Sequence, residues 1–325
     1  MVNKEILITG TDGFVGSHLS NYFIKAGWDV YGTVYNLRSP LEKECIVNFC
    51  VDDAFDKIPN KQFEIVINAA GAIDQTLSKK LMMEINAEGT RRMAEWARKH
   101  NCKHFIQISS VAAYGFRLLG QFNTEIKTKR NKGFFGIRYS KSKAKAERYI
   151  EKSGLHGYTL LRFPSILGYG DSYISPAIIP RLLKGEFYFS GKQEKFFSTF
   201  YIKNIGSLMS KLIDVGPQNM ALNCTDFEMT WKEYVAEYAR LLKTDLIDQK
   251  KSIWSGFLHW NDKKYLLMVS YGRFGAHYPN DKLKQAINWE PTYTWQEGVK
   301  EAIKGYSKSC TEYEREIIEK VLDLD

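Results

Sequence analysis

The chain has 325 residues, enough for a large buried core, and 44% of them are hydrophobic, which excludes a disordered or fibrous protein. Lysine and arginine total 46 against 37 aspartate and glutamate residues, so the net charge of +9 favours an anionic partner. The five cysteines form no CxxC pair, which argues against a disulfide framework or a metal site and predicts a cytoplasmic protein. Neither a membrane-spanning apolar run nor a signal-peptide pattern is expected.

The first half of the chain alternates short apolar runs with amphipathic segments, which is typical of a parallel sheet covered by helices. The predicted strands are Glu5–Thr9, Asp29–Thr33, Cys45–Val51, Ile65–Ala69, His104–Ser109 and Tyr158–Arg162. The predicted helices are Gly16–Ala26, Thr90–His100 and Ser140–Lys152. This alternation predicts an α/β fold with right-handed crossovers.

The second half is less regular and richer in proline and aromatic residues. Phe200–Ile213 is predicted as a helix and Leu222–Thr225 as a strand, both returning to the main sheet. Thr230 is predicted to cap a helix over Trp231–Leu242, and Glu233 completes a capping box.

A glycine-rich turn lies between the first predicted strand and helix, with Gly10, Gly13 and Gly16 three residues apart. The first glycine permits a tight turn, the second lets the backbone approach a pyrophosphate, and the third lets the helix pack on the strand. The helix N-terminus adds free N–H groups and a partial positive charge. This strand–turn–helix context indicates a dinucleotide site rather than a purely structural turn.

The segment after the second strand bears on the cofactor. A ribose 2′-hydroxyl is usually bound by an acid there, and Thr33–Arg38 contains none. Arg38 suits a 2′-phosphate, although a solvated loop arginine explains it nearly as well. The expected cofactor is NAD or NADP, with a slight preference for NADP.

A serine, a tyrosine and a lysine form a candidate proton-transfer site. Ser110 closes a predicted strand, and Tyr139 and Lys143 lie four residues apart, on one face of a helix. A nearby ammonium favours the phenolate and brings the tyrosine pKa towards the working range. Such a pair alone is more often a solvated helix face, but the glycine turn upstream favours catalysis.

Motifs over nearly the whole chain resemble the extended short-chain dehydrogenase/reductases, the NAD-dependent epimerase/dehydratase family. They are the turn Thr9–Gly16, Asn68–Gly71, Ile85–Thr90, Ser109–Gly115, Tyr139–Glu147, Leu161–Asp171 and Asn288–Val299. The resemblance implies a Rossmann-type doubly wound parallel sheet, with a smaller α/β substrate domain on the C-terminal side. The NAD(P)-binding domain would take residues 1–164 plus about 196–225, and the substrate domain about 165–195 plus 226–325.

The resemblance also implies roles for single residues. Tyr139 would be the catalytic acid/base, Lys143 would bind the nicotinamide ribose, and Ser110 would hold the substrate oxygen. The implied cofactor contacts are Gly10, Asp12, Gly13, Phe14, Val15, Gly16, Arg38, Asp52, Ala69, Ala70, Gly71, Asn86 and Lys143. Asp52 competes with its neighbour Asp53, and Asn86 and Gly71 have purely structural alternatives.

Two substrate positions depart from the sugar-nucleotide members of the family. Ser165 stands where those members carry asparagine, three residues after Arg162, and Phe197 replaces an arginine. These three residues are the candidate substrate contacts. The same region also resembles 3β-hydroxysteroid dehydrogenases. An apolar pocket or an ordinary core would account for the aromatic residues Phe187, Tyr188, Phe189, Phe196, Phe197, Trp254, Phe257 and Trp260.

The leading prediction is an NAD(P)-dependent epimerase or 4-keto reductase acting on a nucleotide-linked sugar. Dehydration is less favoured because Val111–Ala113, after Ser110, offers no carboxylate. The alternatives are a hydroxysteroid-type dehydrogenase on an apolar secondary alcohol and a non-catalytic dinucleotide-sensing protein.

The excess positive charge is concentrated near the predicted catalytic tyrosine. Eight basic residues and no acid lie between Lys127 and Lys145. This cluster favours an anionic nucleotide sugar as partner over nucleic acid or a membrane surface. The family resemblance implies a homodimer, with the helices Thr90–His100 and Ser140–Lys152 as candidates for the interface.

Overall fold

A computed structural model describes residues 4–35, 41–74, 76–115, 138–189, 194–246 and 275–322 of the chain. Its main sheet has seven strands in the order β3-β2-β1-β4-β5-β6-β9, and all of its paired strands are parallel. The strands are β1 Glu5–Thr9, β2 Asp29–Val34, β3 Glu44–Ile46, β4 Ile65–Asn68, β5 His104–Ser110, β6 Tyr158–Phe163 and β9 Ala221–Asn223. The order of the first six strands is the doubly wound Rossmann order, which confirms the predicted fold class.

A second, three-stranded sheet has the order β10-β8-β7. Its strands are β7 Ser165–Leu167, β8 Phe196–Tyr201 and β10 Phe227–Thr230. Strand β8 runs parallel to β7 and antiparallel to β10.

The helices that cover these sheets vary from short turns to fourteen residues. They are α1 Phe14–Lys25, α2 Lys79–Met83, α3 Gly89–Lys99, α4 Arg138–Glu151, α5 Ser175–Leu183, α6 Ile205–Val215, α7 Trp231–Leu242, α8 Asp281–Ile287, α9 Trp295–Ser307 and α10 Glu312–Leu322. A π-helical turn over Glu84–Glu88 joins α2 to α3. None of the helices in the described ranges is long and apolar enough to cross a membrane.

Apolar side chains fill both faces of the main sheet because its strands are covered on each side. Strand β1 shows the alternation: Ile6 and Ile8 belong to one buried cluster, while Leu7 belongs to the other. Leu19 and Phe23 of α1 pack into the first cluster. The glycine turn and α4 are thereby attached to a buried, rigid frame.

Two segment predictions need correction. The third strand is shorter than Cys45–Val51 because the Asn48 side chain accepts from the Cys50 amide, and a turn from Asn48 to Val51 ends the pairing. The predicted helix Phe200–Ile213 is wrong at its start.

At the start of the predicted helix Phe200–Ile213, the chain instead forms strand β8, Phe196–Tyr201. This run of β-branched and aromatic residues pairs with Phe227–Thr230. The helix begins only at Ile205, after a short 3-10 turn. The returning strand β9 and the Thr230 capping box of α7 are confirmed.

Candidate active site

The glycine turn after β1 has room for glycine alone at two positions. Gly10 has φ +69°, and a Cβ atom there would lie 2.9 Å from the Cα of Ala70. A Cβ on Gly16 would lie 2.0 Å from the Gly10 carbonyl oxygen. Around Gly13, only that same oxygen lies within 4 Å among the described atoms, so this part of the turn is open.

The N-terminus of α1 fits a diphosphate. Gly13 at its cap has no side chain to occupy the helix end, and the first turn carries no acidic residue. The first-turn N–H groups of a helix lack intrahelical partners, which leaves those of Phe14, Val15 and Gly16 to bind an anion. The carboxylate of Asp12 accepts from the Tyr35 amide at 3.2 Å and ties the turn to the end of β2.

The neighbouring strand β4 ends on the far side of the turn. The Thr9 hydroxyl accepts from the Ala70 amide at 3.0 Å and joins the two strand ends. Ala69 is partly buried and packs against the core. A Cβ on Gly71 would lie 3.2 Å from Asn86 Oδ1 and 3.4 Å from Lys143 Nζ, so the strand end reaches the predicted catalytic lysine.

Asn86 is buried and fixes the loop after β4. Its Oδ1 accepts from the Ala72 amide at 2.7 Å, and its Nδ2 donates to the Ala72 carbonyl at 2.8 Å. The same Nδ2 donates to the Ser142 hydroxyl of α4 at 3.0 Å. Asn86 thus connects three segments of the site, as expected of a supporting residue.

Lys143 lies inside the site and is only 6% exposed. Its Nζ donates to the Ile108 carbonyl at 3.1 Å and lies 5.7 Å from the ring centroid of Tyr139. Burial lowers the pKa of Lys143 to about 8, and the negative charge of Glu147 opposes this shift. At neutral pH the Lys143 side chain is therefore mostly an ammonium, but its pKa lies close to the pH.

Tyr139 lies beside Ser110, as the sequence predicts. Burial raises the pKa of Tyr139 to about 12, while a hydrogen bond from the Ser110 side chain opposes this rise. Ser110 also accepts from the Ala112 amide at 3.1 Å, which fixes its hydroxyl at the end of β5. The structure therefore brings Ser110, Tyr139 and Lys143 together.

Asp52 lies at the start of a 3-10 turn, Asp52–Lys57, beyond β3. Its exposed carboxylate forms an ion pair with Arg92, and Arg92 also contacts Glu84 at 2.8 Å. Hydrogen bonding to Arg92 lowers the pKa of Asp52. Arg38 lies outside the described residues, so the preference for NADP stays a prediction.

The three candidate substrate residues make different contacts within the fold. Arg162 is buried in an ion pair with Glu147, with Nη2 and Oε2 2.7 Å apart. Phe197 packs against Trp231 in the core, at 5.0 Å between ring centroids. The carbonyl of Ser165 accepts a hydrogen bond from the Thr199 hydroxyl of the neighbouring strand β8 at 2.9 Å. Arg162 and Phe197 therefore serve the interior of the fold in this structure.

The aromatic residues proposed for an apolar pocket divide between core and surface. Phe187 and Phe189 are buried and contact each other edge to face, 5.3 Å apart. Tyr188 is partly buried against the core, whereas Phe196 is 48% exposed. Trp254, Phe257 and Trp260 lie outside the described residues. Phe187, Tyr188 and Phe189 thus belong to an ordinary core, whereas Phe196 does not.

The basic run before α4 is described only in part. Lys127, Lys129, Arg130 and Lys132 lie outside the described residues. Within the described part, Lys145 pairs with Glu88 at 2.7 Å, and Arg138 donates to the Leu77 carbonyl at 2.6 Å.

No cluster of three or more metal-ligating side chains occurs within the part of the chain that the structure describes.

Sequence reasoning missed two residues near the site. Tyr173, 38% exposed, interacts electrostatically with Tyr139. Glu147 lies two helical turns beyond Tyr139 and accepts from the Ser109 hydroxyl at 2.6 Å. The sequence signal for Glu147 was its spacing of four residues from Lys143, which places both on one helix face. Nothing in the sequence pointed to Tyr173.

Comparison with known proteins agrees with this geometry. The model of the NAD-dependent epimerase/dehydratase family matches residues 6–223, which include the glycine turn and the predicted proton-transfer residues. The dTDP-D-glucose 4,6-dehydratase of Bos taurus is 22% identical over 340 residues, covering 94% of this chain and 89% of the relative. The likeness to that relative thus extends beyond the residues that the family model matches.

Two further similarities differ in extent. The 3beta-hydroxysteroid dehydrogenase/Delta(5)-Delta(4) isomerase 1 of Caenorhabditis elegans is 33% identical over 109 residues, which is 33% of this chain and 23% of the relative. The crystal structure of UDP-glucose 4-epimerase from Thermotoga maritima, determined with UDP-glucose, has a TM-score of 0.71 at 21% identity. The match covers 94% of this chain and 99% of that one, so the two share a fold.

Proposed function

Because the chain belongs to the NAD-dependent epimerase/dehydratase family, we propose that it is an NAD-dependent oxidoreductase acting on a nucleotide-linked sugar. The observation that carries this proposal is the convergence of Ser110, Tyr139 and Lys143 beside Gly71 and an open glycine turn. A solvated helix face would not bury the lysine to 6% exposure or place a serine on the tyrosine hydroxyl.

Tyr139 transfers the proton in this proposal. As the phenol, the form favoured by burial, it would donate a proton to the keto oxygen of the sugar when the sugar is reduced. As the phenolate, it would take the proton from the sugar hydroxyl when the sugar is oxidised. Ser110 holds the same oxygen through its hydroxyl. Lys143 favours the phenolate by its charge and binds the nicotinamide ribose.

The glycine turn holds the cofactor diphosphate, and Gly71 and Asn86 line the side nearest Lys143. Bound NAD supplies the hydride acceptor and donor that the side chains lack. Asp52 is the proposed adenosine-side acid, although in this structure its carboxylate is engaged by Arg92.

The net reaction follows from what happens to the keto sugar. An epimerase would return the hydride taken from the sugar to the opposite face of the keto intermediate, with no net redox change. A 4-keto reductase would instead take up a keto sugar, consume one NADH from solution and release the alcohol. The turn Val111–Tyr114 after Ser110 contains no carboxylate, which favours these reactions over dehydration. Relatives named for dTDP-D-glucose and UDP-glucose support a nucleotide sugar.

Three further predictions complete the proposal. The enzyme acts in the cytoplasm, forms a homodimer through α3 and α4, and divides into a cofactor domain and a substrate domain. Residues 196–201 form β8 of the second sheet, which supports placing them with the substrate domain rather than with the cofactor domain.

A substrate panel tests the proposal. The enzyme is mixed with NAD and either UDP-, GDP- and dTDP-linked sugars or sterols, and separately with NADH and the 4-keto forms of those sugars. Nicotinamide absorbance and product sugars are followed. We expect turnover of at least one nucleotide sugar and none of the sterols. Turnover of a sterol without a response to any nucleotide sugar would overturn the substrate class.

The steroid alternative has one specific observation in its favour, the 33% identity over 109 residues to the worm enzyme. That match covers 33% of the chain, whereas the bovine dehydratase match covers 94%. The dinucleotide-sensing alternative is less favoured because the chain retains Tyr139 and Lys143 in contact distance of one another.

A further inference from the structure

A buried ion pair lies behind the proposed catalytic helix. The Glu147 side chain is fully buried, and its Oε1 and Oε2 accept from Arg162 Nε at 3.0 Å and Nη2 at 2.7 Å. The Ser109 hydroxyl donates to Oε1 at 2.6 Å. Burying a carboxylate is costly unless it is paired, so this site is organised around Glu147.

The ion pair is continuous with the end of strand β5. The last three residues of that strand, Ile108–Ser110, each hold one residue of α4. The Ile108 carbonyl accepts from Lys143 at 3.1 Å, and the Ser109 hydroxyl donates to Glu147 at 2.6 Å. The Ser110 side chain forms a hydrogen bond with Tyr139. Tyr139, Lys143 and Glu147 are spaced four apart, so one helix face is attached to the strand over two turns.

The network also reaches beyond the main sheet. The guanidinium of Arg162 lies 4.5 Å from the ring centroid of Tyr114, and the Tyr114 hydroxyl donates to Asn223 Oδ1 at 2.8 Å. Asn223 in turn donates to the Pro279 carbonyl at 3.2 Å. Glu147 is therefore the point at which α4, two sheet strands and the C-terminal region meet.

We propose that Glu147 is a positioning residue: its buried carboxylate sets the register of α4 against β5 and supplies a negative charge one helical turn from Lys143. This inference rests on the proposed function, because α4 carries the proposed proton-transfer pair. Glu147 itself is not expected to touch substrate or cofactor.

The charges around Lys143 support this assignment. Tyr139 and Glu147 lie on its own helix, and Arg162 lies beyond Glu147 on β6. On the π-helical turn packed against α4, Glu84 and Glu88 are paired with Arg92 and Lys145 respectively.

Asn86 and the Ile108 carbonyl contribute only dipoles. Glu147 is paired as well, with Arg162, but it lies one helical turn from Lys143 on the same helix. Its charge opposes the lowering of the Lys143 pKa by burial.

The first test measures Lys143 directly and needs no substrate. Lysine Cε carbons are labelled with ¹³C, the Lys143 signal is assigned from its loss in Lys143→Arg, and its titration midpoint is recorded. Glu147→Gln should lower that midpoint by about one pH unit, a tenfold change in proton affinity. Glu151→Gln, an exposed acid on the same helix, is the control and should leave it unchanged.

Glu147→Gln leaves Arg162 buried without its carboxylate and could prevent folding. The double variant Glu147→Gln/Arg162→Met removes both charges, and its midpoint should fall between those of the single variant and the wild type. A midpoint equal to that of the wild type in whichever of these variants folds would overturn the charge assignment.

The second test concerns register. Ser109→Ala keeps every charge but removes the hydrogen bond that fixes Glu147 to β5. We expect kcat on the active nucleotide sugar to fall several-fold with unchanged NAD affinity and an unchanged Lys143 midpoint. Wild-type kcat in Ser109→Ala would overturn the register role, whereas inactivity of the wild type on every substrate would overturn only the proposed function.

Discussion

At the scale of single residues, burial determines the chemistry of the site. It raises the pKa of Tyr139 to about 12 and lowers that of Lys143 to about 8, so both shifts act against the charged forms. At pH 7 the tyrosine is a phenol and the lysine an ammonium. The phenol is then ready to give a proton, and it acts as a base only when its phenolate is stabilised by the charges of Lys143 and of bound oxidised NAD.

This view predicts that Lys143→Met loses turnover by about 100-fold or more, because the side chain keeps its size but no longer supplies a charge. The control is Lys145→Met, two residues along the same helix, where the lysine pairs with Glu88 at the surface. Steady-state kinetics on the active substrate should separate the two variants. Equal turnover in both would contradict the role given to Lys143.

At the scale of elements, local patterns located the glycine turn and, to within two residues, the helices α1, α3, α4 and α7. The strand β1 and helix α7 match their predicted bounds, since apolar alternation and a capping box are local signals. The predicted helix Phe200–Ile213 wrongly includes the last two residues of strand β8. The six residues of this strand pair with β7 and β10, which are distant in the sequence. Pairing over such distances leaves no local periodicity.

The glycine turn gives a prediction at this scale. Gly16→Ala adds a methyl group 2.0 Å from the Gly10 oxygen, so the turn must shift away from the helix N-terminus. We expect NAD affinity, measured by calorimetry, to fall at least about tenfold. Gly185→Ala is the control, because a Cβ there meets no described atom within 4 Å.

Gly185 has φ +65°, so its alanine variant carries a conformational cost of about 1 kcal/mol but should bind NAD normally. Unaltered NAD affinity in Gly16→Ala would contradict the placement of the diphosphate at this turn.

At the scale of the whole molecule, the fold class was predictable because the motifs that carry it are local and ordered. The same motifs singled out Ser110, Tyr139 and Lys143, which the structure places beside one another. The partners of Glu147, Arg162 and Asp226 were not predictable. They are buried charged groups whose environment depends on segments more than ten residues apart. Asp226 is an example, as its Oδ2 accepts from the Tyr201 amide and from Asn204 while Oδ1 is buried with no partner among the described atoms.

Asp226 predicts a pH-dependent stability. Burial raises its pKa to about 7, so between about pH 4 and pH 7 the folded state holds a proton that the unfolded chain releases. Its contribution to the free energy of unfolding therefore falls as pH rises through that window. Asp226→Asn keeps the shape without the charge and should be more stable than the wild type at pH 8 by about 1–4 kcal/mol.

Urea unfolding of both proteins at pH 5 and pH 8 provides the measurement. The difference between variant and wild type is the relevant quantity, because buried His104, with its pKa lowered to about 4, gives the opposite trend in both proteins. A variant no more stable than the wild type at pH 8 would contradict the burial of an ionised Asp226.

The most direct test of the central claim compares Tyr139→Phe with the wild type for NAD binding and for turnover of the active nucleotide sugar. Removing the hydroxyl deletes the proposed proton donor but leaves the glycine turn and Lys143 in place. We expect NAD affinity to stay within about twofold and turnover to fall by about 100- to 10,000-fold. Full turnover in Tyr139→Phe would contradict the assignment of Tyr139 as the acid/base.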